Sequence, residues 1–410
     1  MPSFSPSTIV ADDADTTGPD THADATVSEG GRIRLLVLTD TSILSSGGSE
    51  RFLRNLMARL PPERYRVVVV QLTDTTRAWS DTSLPDGIQH VQLRSLPIAA
   101  VYGLRGWLAL RSLRRLVERG QFDIIQSQHE KSDLLNAFLP RTKGSVRISN
   151  RRDMGFNKSA RLRFLFRFLN HRFDCVVAPA QPILSGLARE EDMQARRMLW
   201  IPNGVDTERF QPQPLSARRQ TRLALGLAED AIAFGCIASL TPVKRHCDLI
   251  EAFAQVHRQC PQARLLLVGD GPLREPITAQ IEALGLSEAV RLLGSLPNVE
   301  GVLPALDAAV LVSSTEGMSN AVLEAMACGL PVVATGVGGN LQLVQHGISG
   351  LLVPAHEPAA LAAALQHLID EPLMRERMGA SARARILREF SLDSMVHAFD
   401  RLYHRLLGRP

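Results

Sequence analysis

The 410-residue chain has no uninterrupted apolar run approaching the roughly 20 residues that a bilayer-spanning helix needs. An ordinary helical membrane protein is thereby excluded. Its five cysteines, Cys175, Cys236, Cys247, Cys260 and Cys328, are odd in number and scattered without disulfide-like or metal-like spacing. A disulfide scaffold is excluded, and a reducing cytosol is the expected compartment. Cys175 and Cys236 fall in apolar strand readings and are expected in the core. No Gly-x-Gly-x-x-Gly follows the first strand of either half, which argues against a dehydrogenase. Residues 1–30 contain no Lys or Arg and no apolar core, so they do not read as a secretory signal. They carry Asp12, Asp13, Asp15, Asp20, Asp24 and Glu29 and read as a disordered acidic tail.

Hydrophobic content of 45% and a mean hydropathy near zero describe a globular protein, and the length suits two domains rather than one core. Charge is unevenly spread. Residues 31–210 hold 29 basic against 17 acidic side chains, a net +12, whereas residues 211–410 hold 17 against 19, a net −2. The first folded half is the basic one.

From Ile33 onward, short apolar runs alternate with helical stretches, as in a doubly wound parallel sheet. Strands are expected at 34–39, 66–72, 123–126, 146–149, 175–178 and 199–202, and again at 231–238, 263–268, 290–293, 309–312, 331–334 and 351–353. The polar segment holding Pro212 and Pro214 separates the two series. The expected division is a tail at 1–30, an α/β domain at 31–210, a second at 211–390 and a last helix at 391–410.

Glu316 and Glu324 stand with seven residues between them in the run Glu316-Gly317-Met318-Ser319-Asn320-Ala321-Val322-Leu323-Glu324. A strand precedes, and a helix should open near Ser319 or Asn320. Such a helix N-terminus suits a phosphate or diphosphate, with the two carboxylates accepting hydrogen bonds from hydroxyls beside it. A turn residue and a solvated helix residue would fit the same two positions. Loops at Gly269-Asp270-Gly271-Pro272 and Gly338-Gly339 follow neighbouring strands and should meet at the same sheet edge.

These residues, with Pro242-Val243-Lys244 upstream and Gly329-Leu330-Pro331-Val332-Val333 downstream, resemble the retaining glycosyltransferases of family four. The resemblance implies the GT-B fold, two Rossmann-like doubly wound parallel-sheet domains facing a cleft, with the last helix crossing back to the first domain. It implies transfer of a sugar from a UDP- or GDP-sugar to an acceptor hydroxyl with retention, in polysaccharide, lipopolysaccharide or glycolipid synthesis. No cofactor and no metal are expected, in keeping with the lack of a metal-ligand cluster.

By matching position, Glu316 would hold donor sugar hydroxyls, Glu324 the ribose and Lys244 the diphosphate. Backbone amides of Met318, Ser319 and Asn320, the Gly271 loop, and Gly47 and Gly48 in the Ser45-to-Glu50 loop would also meet the donor; a Gly-Gly turn capped by Ser49 is the bland reading of that last loop. The loop after Gly294 would face the base. Family members carry an Arg at the positions of Ser239 or Thr241, a second His near the donor sugar where Gln128 stands, and often Glu at Gln342; Arg245 is the nearest replacement cation. His129, one place beyond Gln128, is the candidate for the catalytic role of that His, although a one-residue shift turns a strand side chain to the other face, and Gln128 could itself donate a hydrogen bond to the donor.

Arg151 and Arg152, after another strand, suit an anionic acceptor or surface ion pairs. The 161–172 stretch mixes Arg161, Arg163, Arg167 and Arg172 with Phe164, Phe166 and Phe168, and 104–119 adds Trp107, Arg111, Arg114 and Arg115. Both suit contact with an anionic membrane displaying a glycan or lipid-linked acceptor, or a core helix with a basic edge. No nucleic-acid module is recognised. A glycoside hydrolase and a non-catalytic binder of nucleotide sugars or glycans are the alternative functions.

Overall fold

The computed structural model describes residues 31–43, 47–73, 81–82, 91–98, 103–152 and 158–409. The acidic tail, Ser45, Ser46 and Asp153 lie outside the described residues. The chain forms two compact units, one within Met1–Ile201 together with Val396–Pro410, the other Pro202–Met395.

The first unit holds β1 (Ile33–Thr39), β2 (Tyr65–Thr73), β3 (Asp81–Thr82), β4 (Val91–Pro97), β5 (Ile124–Gln128), β6 (Val146–Asn150), β7 (Cys175–Ala178) and β8 (Met198–Trp200). They form one sheet in the order β3-β4-β2-β1-β5-β6-β7-β8, parallel except where β3 runs against β4. The second holds β9 (Ile232–Ile237), β10 (Ala263–Val268), β11 (Val290–Gly294), β12 (Ala308–Leu311), β13 (Val332–Thr335) and β14 (Gly350–Val353), ordered β11-β10-β9-β12-β13-β14. Central strands such as β12 and β13 are buried along their whole length, as expected of parallel sheets covered on both faces.

Chain order reverses at β1/β5 in one sheet and at β9/β12 in the other. Such reversals open a crevice beyond the strand C-termini, because successive crossover connections leave toward opposite faces. The two switch points place the residues of interest.

The sequence pattern misses β4. Its alternation of buried Val91, Leu93 and Ser95 with exposed Gln92 is the period-two mark of a half-covered strand, whereas a continuous apolar run marks the buried strands. The units divide between Ile201 and Pro202, whereas the expected division is 210/211. The polar segment is held within the second unit: Val205 pairs with Ser391, and Arg383 donates to the carbonyls of Thr207 and Phe210.

Helix Leu392–Leu407 starts in the second unit and continues, from Val396, in the first. There Phe399 and Tyr403 are fully buried, and the Tyr403 hydroxyl donates to Gln126 Oε1 at 2.8 Å. Tyr65 donates to Asp400 at 2.6 Å. Among the described residues no helix is long and apolar enough to cross a membrane.

Candidate functional site

At the β9/β12 switch point the chain leaving β9 makes a single 3-10 turn, Pro242–Lys244, and the chain leaving β12 runs beside it, with Ser314 N–H donating to Val243 O at 2.9 Å. Lys244 Nζ lies 2.5 Å from Glu316 Oε2, and Ser313 Oγ donates to the same oxygen at 3.1 Å. Both side chains remain partly open, at 20% and 12% exposure. A cation and an anion are thus poised at the mouth of the crevice.

Helix Asn320–Ala327 opens next, with Ser319 as N-cap accepting from Val322 N–H at 3.3 Å. Its first turn leaves backbone donors without intrahelical partners, and its dipole presents partial positive charge there. Glu324 is no solvated helix residue, being only 3% exposed. Asn203 holds the turn: its N–H points at Met318 Sδ (3.1 Å) and its Nδ2 donates to Asn320 Oδ1 at 2.9 Å. By sequence Asn203 reads only as a turn residue. Its one signal is an amide directly beside a glycine at the end of a strand series.

The glycine loops are tied to this turn by close backbone approach. Gly338 adopts φ +52, and a Cβ there would fall 1.7 Å from Glu316 O, so no other residue fits. Gly339 N–H donates to Glu316 O at 3.2 Å. Gly271 packs on the backbone of Leu240, whose N–H donates to Asp270 O at 3.0 Å. The three loops do converge. In the structure, the glycine at 271 serves contact between loops.

Arg245 does not stand over this crevice as a second free cation. It sits in the left-handed region at the start of helix His246–Gln259 and is gripped by Asp248, with Nε to Oδ2 at 2.9 Å and Nη2 to Oδ1 at 2.7 Å. The carboxylate one turn along the helix claims it.

His246 is 1% exposed, with Nε2 3.8 Å from Cys236 Sγ. Burial, and then the nearby Lys244 charge, push its pKa down to about 4. Between that value and the ordinary 6.5, the unfolded chain binds a proton that the folded one refuses, so stability falls as pH falls through this window. The full loss is roughly 2–4 kcal/mol, since each tenfold weakening of proton affinity is worth about 1.4 kcal/mol. Unfolding midpoints measured from pH 7 to 4 should drop less steeply in His246→Phe than in the parent; equal slopes would refute the assignment.

In the first unit, helix Gly48–Arg59 starts one residue after Gly47, which is its N-cap. Ser49 is therefore inside the first turn and does not cap it. Glu50 is 7% exposed, folds back over Gly47 and accepts from Thr41 Oγ1. At the end of β5, Gln128 is 1% exposed and both its amide atoms lack a protein partner among the described residues. Beside it in register, Asn150 at the end of β6 is in the same state. His129 follows the strand at φ +73 as N-cap of helix Glu130–Phe138, so it does not continue the strand's alternation.

Arg151 is not an open acceptor-side cation. Its side chain is 4% exposed, 3.0 Å from Asp133 and 3.7 Å from Glu191, and its Nε donates to Ser149 Oγ at 2.7 Å. Lys158 completes the group at 2.6 Å from Glu191. Burial opposes the charge on Glu191, but Arg151 and then Lys158 outweigh it and hold its pKa below the usual value; burial dominates at Asp133 and raises its pKa. Arg152 is buried with its guanidinium 3.7 Å from the Phe52 ring centroid, and burial lowers its pKa to about 9 despite Glu50. His129, Arg151, Arg152, Lys158 and Glu191 border a cavity of about 170 Å³.

Residues 217–385 match the family model described as glycosyl transferases group 1, and residues 46–209 match glycosyltransferase family 4. The chain is 34% identical over 249 residues to a D-inositol 3-phosphate glycosyltransferase of Actinosynnema mirum, covering 56% of this chain and 58% of that one. It is 34% identical over 189 residues to the N-acetyl-alpha-D-glucosaminyl L-malate synthase of Bacillus anthracis, 46% and 49% respectively. A UDP-Gal:alpha-D-GlcNAc-diphosphoundecaprenol alpha-1,3-galactosyltransferase of Escherichia coli is 26% identical over 72% of this chain and 78% of its own. The chain spans about half the length of the first curated relatives it matches. Among solved structures, Anabaena Alr3699/HepE in complex with UDP superposes with a TM-score of 0.79 at 23% identity, over 91% of this chain and all of that one. WaaG, a glycosyltransferase involved in lipopolysaccharide biosynthesis, gives 0.69 at 16% identity over 92% and 100%. Both likenesses speak for the fold.

Proposed function

Since the chain belongs to the group 1 and family four glycosyltransferases and has their GT-B fold, we propose that it moves a sugar from a nucleotide diphosphate sugar to an acceptor hydroxyl with retention of configuration. The observation that carries this reading is the Lys244–Glu316 pair set before the Asn320–Ala327 helix, at the β9/β12 switch point. An ammonium has three donors, so Lys244 can keep Glu316 and still meet a phosphate oxygen.

In the proposed reaction the bond from the anomeric carbon to phosphate oxygen breaks, and its electron pair leaves with the diphosphate. The acceptor oxygen bonds on the face being vacated, and its proton passes to the departing phosphate. Lys244 and the amides of Met318, Ser319 and Asn320 stabilise the charge that develops on the leaving group. Glu316 orients the sugar hydroxyls, Glu324 takes the ribose, and the loop after Gly294 meets the base. No metal has a part in this scheme. Gly47, Gly48, Gln128 and His129, at the other switch point, are assigned to substrate. The unpartnered amide of Gln128 supports that assignment, because a buried amide without a partner costs about 1–3 kcal/mol.

The acceptor is a glycan or a lipid-linked glycan, made at the cytoplasmic face of an anionic membrane. Helix Ala160–Leu169 supports this: Phe164 and Phe168 are 59% and 60% exposed, their rings 5.2 Å apart, on a helix that also carries Arg161, Arg163 and Arg167.

A panel of UDP- and GDP-sugars tests the donor site by thermal stabilisation. One donor at about 100 times its Kd should stabilise the protein by about 2.7 kcal/mol. No shift with any member would remove the donor assignment.

A further inference from the structure

Helix Gly103–Gly120 presents a stripe that changes character along its length. Leu104, Trp107 and Leu108 are 74%, 54% and 50% exposed, and at helical spacing the same face continues as Arg111, Arg115 and Arg119. Arg111 lies 5.5 Å from the Trp107 ring centroid, where the two classes meet. At its basic end the stripe borders a cavity of about 680 Å³. Arg115 and Arg119 form one wall; Arg34 and Arg66, register partners near the starts of β1 and β2, and Arg94 of β4 form the other.

Arg34 is held by Asp123 at 3.2 Å. Among the described residues no carboxylate lines this cavity, and Arg66, Arg115 and Arg119 make no ion pair. Arg34 and Arg94 have partners of their own, whereas the guanidinium groups of Arg66, Arg115 and Arg119, gathered without an ion-pair partner, repel one another, and a phosphate relieves that repulsion while accepting their forked hydrogen bonds. The cavity lies by the starts of β1 and β2, whereas the substrate residues of this unit follow the strand ends, so it is separate from them.

We propose that this cavity binds the phosphate of an anionic phospholipid headgroup while Leu104, Trp107 and Leu108 enter the boundary of the acyl region. The exposed apolar half of the stripe decides the source of the phosphate. A soluble phosphate needs only the arginines, and a nucleic acid would need stacking side chains interleaved with them. The inference rests on the membrane part of the function above and adds a headgroup site to it.

The test is co-sedimentation of the full chain with phosphatidylcholine vesicles, with and without phosphatidylglycerol. Binding should require phosphatidylglycerol and weaken with added salt. Arg115→Glu with Arg119→Glu should weaken it at least about 20-fold, since each basic residue near such a surface is worth about 1 kcal/mol. Arg66→Ala should weaken it less, and Leu104→Ser with Trp107→Ser should also reduce it. Donor-induced thermal stabilisation should be unchanged in all of these, so failure of this site and failure of the donor assignment are separate results. Unchanged vesicle binding in both arginine variants, each still folded by thermal melting, would overturn the proposal. So would binding of glycerol 3-phosphate, or of a short RNA, that needs Arg115 and Arg119 without any binding to vesicles.

Discussion

Glu316→Ala should lower transfer by about 100-fold or more, mainly in kcat, with the unfolding midpoint nearly unchanged. The size follows from what the carboxylate touches. Glu316 Oε2 is the shared acceptor of Lys244 Nζ and Ser313 Oγ, so its loss removes a hydroxyl-orienting group and frees the lysine from its set position. Removing one preorganised charge-stabilising or orienting contact typically costs about 10²–10³-fold. Stability should hardly respond, since both partners are partly open and such pairs contribute about 1 kcal/mol or less. Glu316→Gln should keep the loop geometry through Ser313 and still lose most activity, because the amide cannot match the charge. Full transfer in either variant would remove Glu316 from the site. A large fall in midpoint in both would make it a structural residue instead.

The largest expected effect on stability lies in the other unit. Arg151→Met should destabilise the protein by about 3–5 kcal/mol, the usual cost of removing one member of a buried ionic group. Asp133 and Glu191, each 4% exposed or less, would lose the cation they share, leaving only Lys158 near Glu191. For a unit of this size the midpoint should fall by roughly 10 °C. The alternative is that Arg151 serves an anionic acceptor. That role predicts a raised KM with an unchanged midpoint, and this result would reverse the structural assignment. Lys158→Met should show a smaller loss of the same kind.

The contrast between Glu316 and Arg151 indicates what was legible in the sequence. Alternating apolar runs and helical stretches located, to within one or two residues, twelve of the fourteen strands found among the described residues, because buried parallel strands are continuous apolar segments. The Glu316 turn was legible because its spacing places the carboxylates around a helix start, and Ser319 is a strong capping residue. What was not legible depends on neighbours distant in sequence. Arg151 reads as a surface cation until Asp133 and Glu191 are brought to it from other elements. Arg245 reads as a free cation until the helix carries Asp248 under it. Ser49 reads as a cap because it is the better capping side chain, yet the helix begins at Gly48. The short β3 and the alternating β4 were hidden because one has too little sequence to show a period and the other shares its period with half-exposed coil.

The central claim is sugar transfer from a nucleotide diphosphate sugar, and it is tested most directly by incubating the protein with each donor of the UDP and GDP panel, with and without glycan and lipid-linked acceptors. Free nucleotide diphosphate and glycosylated product are then quantified together. The account predicts that one donor is consumed only when its acceptor is present, with one nucleotide diphosphate released per sugar transferred and the anomeric configuration retained. Release of free sugar irrespective of acceptor would indicate hydrolysis, and a donor that stabilises the protein yet is never consumed would indicate a binding protein; either result would contradict the account.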